Sequence, residues 1–212
     1  MSKIIFALDV PTLREAEKLV VLLEDQVAMF KVGLELFVKY GSATISMIKD
    51  LTDVGVFLDL KLHDIPTTIN RTLEQIKKLD VDLTTVHVDA LTDEVELTDN
   101  VIGVTVLTSE YIRLVTLLRK SVVAKEHGCK GVICSASEAP LIRDWCGKEF
   151  LTVTPGIRLN NSETHDQKRV STHLEAAKAG VDYMVIGRAI RDSVYPRATA
   201  KMINEEIERG IV

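Results

Sequence analysis

Paired cysteines are missing from this sequence. Cys129, Cys134 and Cys146 show no CxxC spacing and no histidine at metal-ligand distance along the chain. That excludes a disulfide scaffold and a zinc ribbon, and the three are expected to be buried or neutral thiols of a reducing compartment. Long hydrophobic runs are missing too. Nothing approaches the ~20 apolar residues of a membrane span. The apolar run Ile4–Leu8, ended by Asp9, is too short for a signal peptide. No membrane partner is expected, and the default location is the cytoplasm. A positive charge excess is also absent: 26 Lys and Arg stand against 31 Asp and Glu, a net charge of −5, so no general nucleic-acid surface is expected. A local basic pocket for one anionic ligand stays open, because net charge does not describe single sites. Finally, no linker or low-complexity segment breaks the chain, and residues 1–212 are expected to form a single domain.

The chain is 46% hydrophobic and 27% charged, ample material for one large core. Short apolar runs alternate with amphipathic stretches. Residues 3–9, 27–33, 54–61, 82–88, 101–108, 130–135, 150–156 and 181–187 read as strands. Residues 13–25, 42–53, 66–79, 110–127, 137–146, 171–179 and 196–209 read as helices. Alternation of this kind implies a parallel sheet, and eight strands can close into a (β/α)8 TIM barrel. An open doubly wound sheet is the competing reading. It usually has fewer strands, and no GxGxxG follows the first strand here. One place breaks the alternation. After the fourth strand, "DALTDEVELTDN" is too short and too acidic for a good helix. Either the crossover is truncated there or residues are absent.

Charged residues fall where strands end. Asp9 ends the first, Lys31 lies near the end of the second, and Asp59 and Lys61 end the third within "FLDLKLHDIPTT" (57–68), with Asp64 just beyond. Thr108 ends the fifth strand, Arg158 follows the seventh, and Gly187 and Arg188 end the eighth. In a barrel, strand C-termini form the active-site face. Side chains alternate across a strand, so Asp59 and Lys61 share one face and Leu58 and Leu60 the other. A row Lys31–Asp59–Lys61 at the barrel mouth becomes possible, in which opposite charges keep one another ionised. It reads either as a structural ion-pair network or as a lysine held charged to donate a proton. "TPGIR" (154–158) and "VIGR" (185–188) follow the last two strands, where barrels often bind phosphate. Gly156 and Gly187 would admit an anion to the backbone, and Arg188 could make a forked contact. Residues 158–169 are polar without periodicity and read as a long loop, a candidate lid. His63 and His87 lack a second ligand at metal spacing and are expected in hydrogen-bonded structural roles. The apolar stripes of 13–25 and 110–127 are expected to face the core, and Trp145 to pack on its helix.

"DLKLHDIPTT", with its DxKxxD core, resembles the signature of the orotidine 5'-phosphate decarboxylase family. "FALDV", "FKVGLELF", "VTVLTS", "TPGIR", "DQKR" and "VIGRAI" resemble that family in its order along the whole chain. DxKxxD alone is shared with sugar-phosphate decarboxylases and synthases of the same superfamily. The resemblance implies a cofactor-free loss of CO2 in pyrimidine biosynthesis, with Lys61 protonating C6 of the base and Asp59 against the substrate carboxylate. It implies that Lys31 and Asp9 bind ribose hydroxyls and that Thr108 lies near the base. Arg158, Gln167, Gly187 and Arg188 would hold the phosphate. Asp64, Ile65 and Thr68 would reach the neighbouring subunit's site, making the active form a homodimer. The departure is "VDALTDEVELTDN", where the family usually continues with a Gly-containing turn and a full helix. Two alternatives stay open: a metal-dependent sugar-phosphate enzyme with the same DxKxxD, and a nucleotide-phosphate binder without catalysis.

Overall fold

In a strand buried on both faces, apolar residues run without alternation, and strand β1 (Ile4–Ala7) is of that kind. Ile4 and Phe6 join a large outer cluster, while Ile5 and Ala7 join a second, smaller one. The second cluster also takes Met29, Phe57, Leu83, Ile102, Val104, Ile133, Val153 and Val185. These are alternate residues of the strands, so the cluster is the filled interior of a barrel. The computed structural model, describing residues 2–105, 114–159 and 171–210, has that architecture.

The staves are β1, β2 (Met29–Gly33), β3 (Gly55–Leu62), β4 (Leu83–His87), β5 (Val101–Val104), β6 (Gly131–Ile133), β7 (Leu151–Thr154) and β10 (Tyr183–Ile186). All pair in parallel, and β10 returns to β1 through Ile4↔Met184, Ile5↔Val185 and Phe6↔Ile186, closing the ring. The open-sheet alternative is thereby set aside. Between β7 and β10 a small parallel pair forms, β8 (Ile157–Arg158) with β9 (Ser171–Thr172).

Helices α1 (Leu13–Leu23), α3 (Ala43–Leu51), α4 (Pro66–Lys78), α5 (Leu114–Glu126), α6 (Ala139–Cys146), α7 (His173–Lys178) and α9 (Pro196–Gly210) lie in the stretches read as helical. Their local signals are ordinary. Thr12 caps α1 by accepting from the Glu15 N–H, and Pro66 starts α4, whose buried residues Ile69, Leu73 and Ile76 follow helical spacing. The stripes on α1 (Ala16, Val20, Leu23) and α5 (Leu117, Ser121, Ala124) face the core as expected. Two short helices were not anticipated: α2 (Leu34–Tyr40), directly after β2, and α8 (Arg188–Arg191), directly after β10. Each is too short to carry a clear period. Trp145 corrects the sequence reading: it stands 65% exposed, while Ile142 and Cys146 turn inward.

The crossover after β4 is short and carries no α-helix. Only a 3-10 turn, Val88–Ala90, separates β4 from an irregular run to β5. Leu91 and Val95 are buried in place of a helix face. Asn70 of α4 pins the run, donating to the Glu94 carbonyl (2.9 Å) and accepting from the Glu96 N–H (3.0 Å). Lys120 of α5 pairs with Asp89 at 2.6 Å. β4 and β5 still pair over four residues, from Thr84↔Val101 to His87↔Val104, so the barrel closes without the helix.

Cys129, Cys134 and Cys146 are free and buried. Burial alone pushes the Cys129 thiol up to about 12 and raises that of Cys146 despite nearby Lys125. The three thiols should therefore resist iodoacetamide in the folded protein at neutral pH and react in full after denaturation. Mass spectrometry of alkylated peptides checks this; rapid labelling of Cys129 in the native chain would contradict it.

Candidate active site

Strand β3 sets the site. Phe57 and Asp59 point into the barrel and Leu58 points out to the helices. The register against β4 shifts between Leu58 and Leu62, and Lys61 adopts φ +53°. A side chain other than glycine in the left-handed region costs about 1–2 kcal/mol, so something must hold it there. Thr85, fully buried on β4, does so. Its Oγ1 accepts from the Lys61 N–H (2.8 Å) and donates to Asp59 Oδ1 (3.1 Å). Lys61 thus reaches the inward face foreseen by alternation, but through a bulge rather than a regular pleat.

The charged row is present and one member longer than the strand pattern suggested. Lys61 Nζ lies 2.6 Å from Asp59 Oδ2, and Lys31 Nζ lies 3.8 Å from the same oxygen. Lys31 Nζ also lies 3.2 Å from Asp9 Oδ1. Asp59 and Lys31 are 8% and 9% exposed. Two cations around one carboxylate, and two carboxylates around Lys31, offset the desolvation that either charge would suffer alone. Gly33 leaves the room: a Cβ there would stand 3.0 Å from Lys31 Nζ and 3.3 Å from Asp9 Oδ1.

These four residues line a cleft of about 250 Å³, with Val104, Ile133 and Val185 contributing apolar surface. Gly156, Arg158, Gly187 and Arg188 line it too. β7, which leads to Arg158, is four places from β3 in the eight-strand ring, so that arginine enters from the opposite wall. The cleft therefore holds a row of ammonium and carboxylate groups together with two guanidiniums and two glycines. It suits an anionic ligand whose far end carries a phosphate-like group.

Not every candidate joins this cleft. Asp64, Ile65 and Thr68 are exposed and outside it; Asp64 Oδ1 accepts from the Ile65 N–H at 2.7 Å. Thr108 and Gln167, with most of the 158–169 loop, lie outside the described residues. His63 and His87, expected in hydrogen-bonded structural roles, stack their rings, centroids 4.9 Å apart and planes 23° from parallel. Among the described residues no three His, Cys, Asp or Glu side chains group as metal ligands would. No helix of the described residues is long and apolar enough to cross a membrane. Sequence reasoning missed Thr85 and Gly33. A hydroxyl in an inward strand position was the available signal for Thr85; for Gly33 there was none.

The Orotidine 5'-phosphate decarboxylase / HUMPS family profile matches residues 2–203. The chain belongs to this family. Similar relatives include proteins named orotidine 5'-phosphate decarboxylase from Desulfosudis oleivorans, 41% identical over 98% of this chain and 94% of the relative, and from Wolbachia pipientis, 42% identical over 96% and 97%. Of the solved structures, the orotidine 5'-phosphate decarboxylase of Pyrococcus horikoshii superposes with a TM-score of 0.80 at 30% identity, covering 97% of this chain and 99% of that one. The Desulfosudis alignment runs over 233 positions against 212 residues here, so at least 21 of its positions have no counterpart in this chain.

Thr85→Val removes the hydroxyl but keeps the shape. It should destabilise the fold by about 1–3 kcal/mol, because Asp59 Oδ1 and the Lys61 N–H lose their partner. Urea denaturation checks this, and Thr85→Ser should restore most of the loss. Burial, then the neighbouring His63, hold the His87 imidazole below its ordinary value, with Lys61 and Lys120 adding and Asp89 opposing. Folded His87 thus takes up a proton at lower pH than the unfolded chain. Its contribution to stability is present above about pH 6.5 and is lost as pH falls through 6.5 toward the folded value. Melting temperature should drop on acidification across roughly pH 8 to 5, and His87→Gln should flatten that slope.

Proposed function

We propose that this chain decarboxylates orotidine 5'-phosphate to UMP without a cofactor, as a step of pyrimidine biosynthesis in the cytoplasm. The observation that carries the reading is the Asp9–Lys31–Asp59–Lys61 row sharing one cleft with Arg158, Gly187 and Arg188. The names of the curated relatives support it.

In this reading the two arginines and the glycine backbone take the phosphate, and Lys31 and Asp9 take ribose hydroxyls. The family resemblance further assigns Gln167 to the phosphate and Thr108 to the base. C6 then sits over Lys61. The bond from C6 to the carboxylate breaks, CO2 leaves, and the electron pair stays on C6. Negative charge develops at a carbon with no electron sink, and a fixed ammonium beside it stabilises that charge. Lys61 next passes a proton from Nζ to C6 and regains one from water. Asp59 faces the substrate carboxylate and, 2.6 Å from Lys61 Nζ, keeps that ammonium aimed. Remote phosphate contacts supply binding energy that can be used at C6.

The active form in this reading is a homodimer of single-domain barrels. Asp64, with Ile65 and Thr68, is exposed beyond the cleft and would complete the partner's site. Ile65 is 65% exposed, and Leu34 and Val38 on α2 are 54% and 82% exposed, which is apolar surface a partner could cover.

Orotidine 5'-phosphate turnover, followed by loss of absorbance with EDTA present, tests the proposal. Steady turnover is expected. Turnover abolished by EDTA points to the metal-dependent sugar-phosphate reading, and UMP binding without turnover to a binder; either sinks the proposal. Lys61→Ala should lose many orders of magnitude in kcat while the chain still folds, as circular dichroism checks.

A further inference from the structure

Asp9 lies beyond the end of β1, in the loop to α1, one residue after Leu8, whose N–H donates to the Lys31 carbonyl at 3.0 Å. Two further ties hold the loop. On one side Lys39 and Tyr40, at the end of α2, donate to the Pro11 carbonyl at 2.5 and 3.4 Å. On the other, Arg191 donates from Nη1 to the Asp9 carbonyl at 2.6 Å. The guanidinium is itself held in a fork by Asp192, Nε to Oδ1 at 2.7 Å and Nη2 to Oδ2 at 3.2 Å. A forked guanidinium is a stiff connector, with little rotamer freedom left.

Arg191 closes the single turn of α8 that Arg188 opens. One turn of helix thus presents one arginine to the cleft and the other to the backbone of Asp9. Asp9 in turn contacts Lys31, which shares Asp59 with Lys61. The contacts form an unbroken sequence from the anion-binding end of the cleft to the lysine row. Arg191 itself does not line the cleft.

We propose that Arg191 is a positioning residue: it ties α8 to the Asp9 backbone, so that the element carrying Arg188 also sets where the Asp9 carboxylate meets Lys31 and the ligand. This rests on the function proposed above. Its consequence is that Arg191 matters only as long as Asp9 has a carboxylate to place.

A double-mutant cycle reads this directly. Arg191→Ala should lower kcat/KM for orotidine 5'-phosphate by roughly ten- to a hundredfold, the scale of a small misplacement. In an Asp9→Ala background the same change should alter it by no more than about twofold. Arg191→Lys, which can still reach the Asp9 carbonyl, should recover part of the loss. UMP affinity should fall less than kcat/KM, because Arg188 still holds the phosphate and only the ribose contact of Asp9 is disturbed. An equal loss in both backgrounds, or no loss in the parent, overturns the proposal. Because Pro11 keeps its own anchor, the variant is expected to fold. Hydrogen exchange supplies a readout that needs no substrate: Arg191→Ala should speed exchange over residues 8–12 and leave α9 unchanged. If the parent fails to turn over orotidine 5'-phosphate, the function falls, while exchange still decides the tie; unchanged exchange over 8–12 refutes it.

Discussion

The Asp59 carboxylate, shared by Lys31 and Lys61, is the interaction around which the barrel mouth is arranged. A buried carboxylate with one cation would sit near the break-even point of desolvation and attraction. Here two ammonium groups and the Thr85 hydroxyl surround it, so each carboxylate oxygen has a partner. Other features then read as conditions for this contact. The left-handed turn at Lys61 brings its ammonium round to Asp59, Thr85 holds that turn, and Gly33 keeps side-chain volume out of the Lys31–Asp9 contact.

A closed parallel barrel suits such an arrangement because the groups come from separate strands. Lys31 is on β2, Asp59 and Lys61 are on β3, Thr85 is on β4, and Arg158 follows β7. Below them the interior is packed with apolar side chains, so the charged layer rests on an apolar floor. Strands β2 and β3 hold the lysine row, while Arg158 and Arg188 come from the short elements β8 and α8 that follow β7 and β10.

The short connection after β4 shows how little of the helical shell the mouth requires. Leu91 and Val95 bury where a helix face would be, and the Asn70 clamp satisfies backbone groups of the run. Strand pairing between β4 and β5 survives, so Thr85 keeps its position. The family relationship holds across nearly the whole chain despite the shortfall against longer relatives.

Much of this was legible in the sequence. Eight apolar runs separated by amphipathic stretches dictate a parallel barrel, because strands buried on both faces need helices outside and a filled centre inside. The two-residue period of β3 was enough to put Asp59 and Lys61 on one face, and the position of charges at strand ends was enough to gather Asp9, Lys31, Arg158 and Arg188 at one mouth. What the chain could not disclose were contacts between residues far apart in sequence. Thr85 bridging Asp59 to the Lys61 backbone, the space left by Gly33, the stack of His63 on His87 and the hold of Arg191 on Asp9 all depend on strand register and loop path. Periodicity says which face a side chain takes; only closure of the barrel decides which neighbour it meets there.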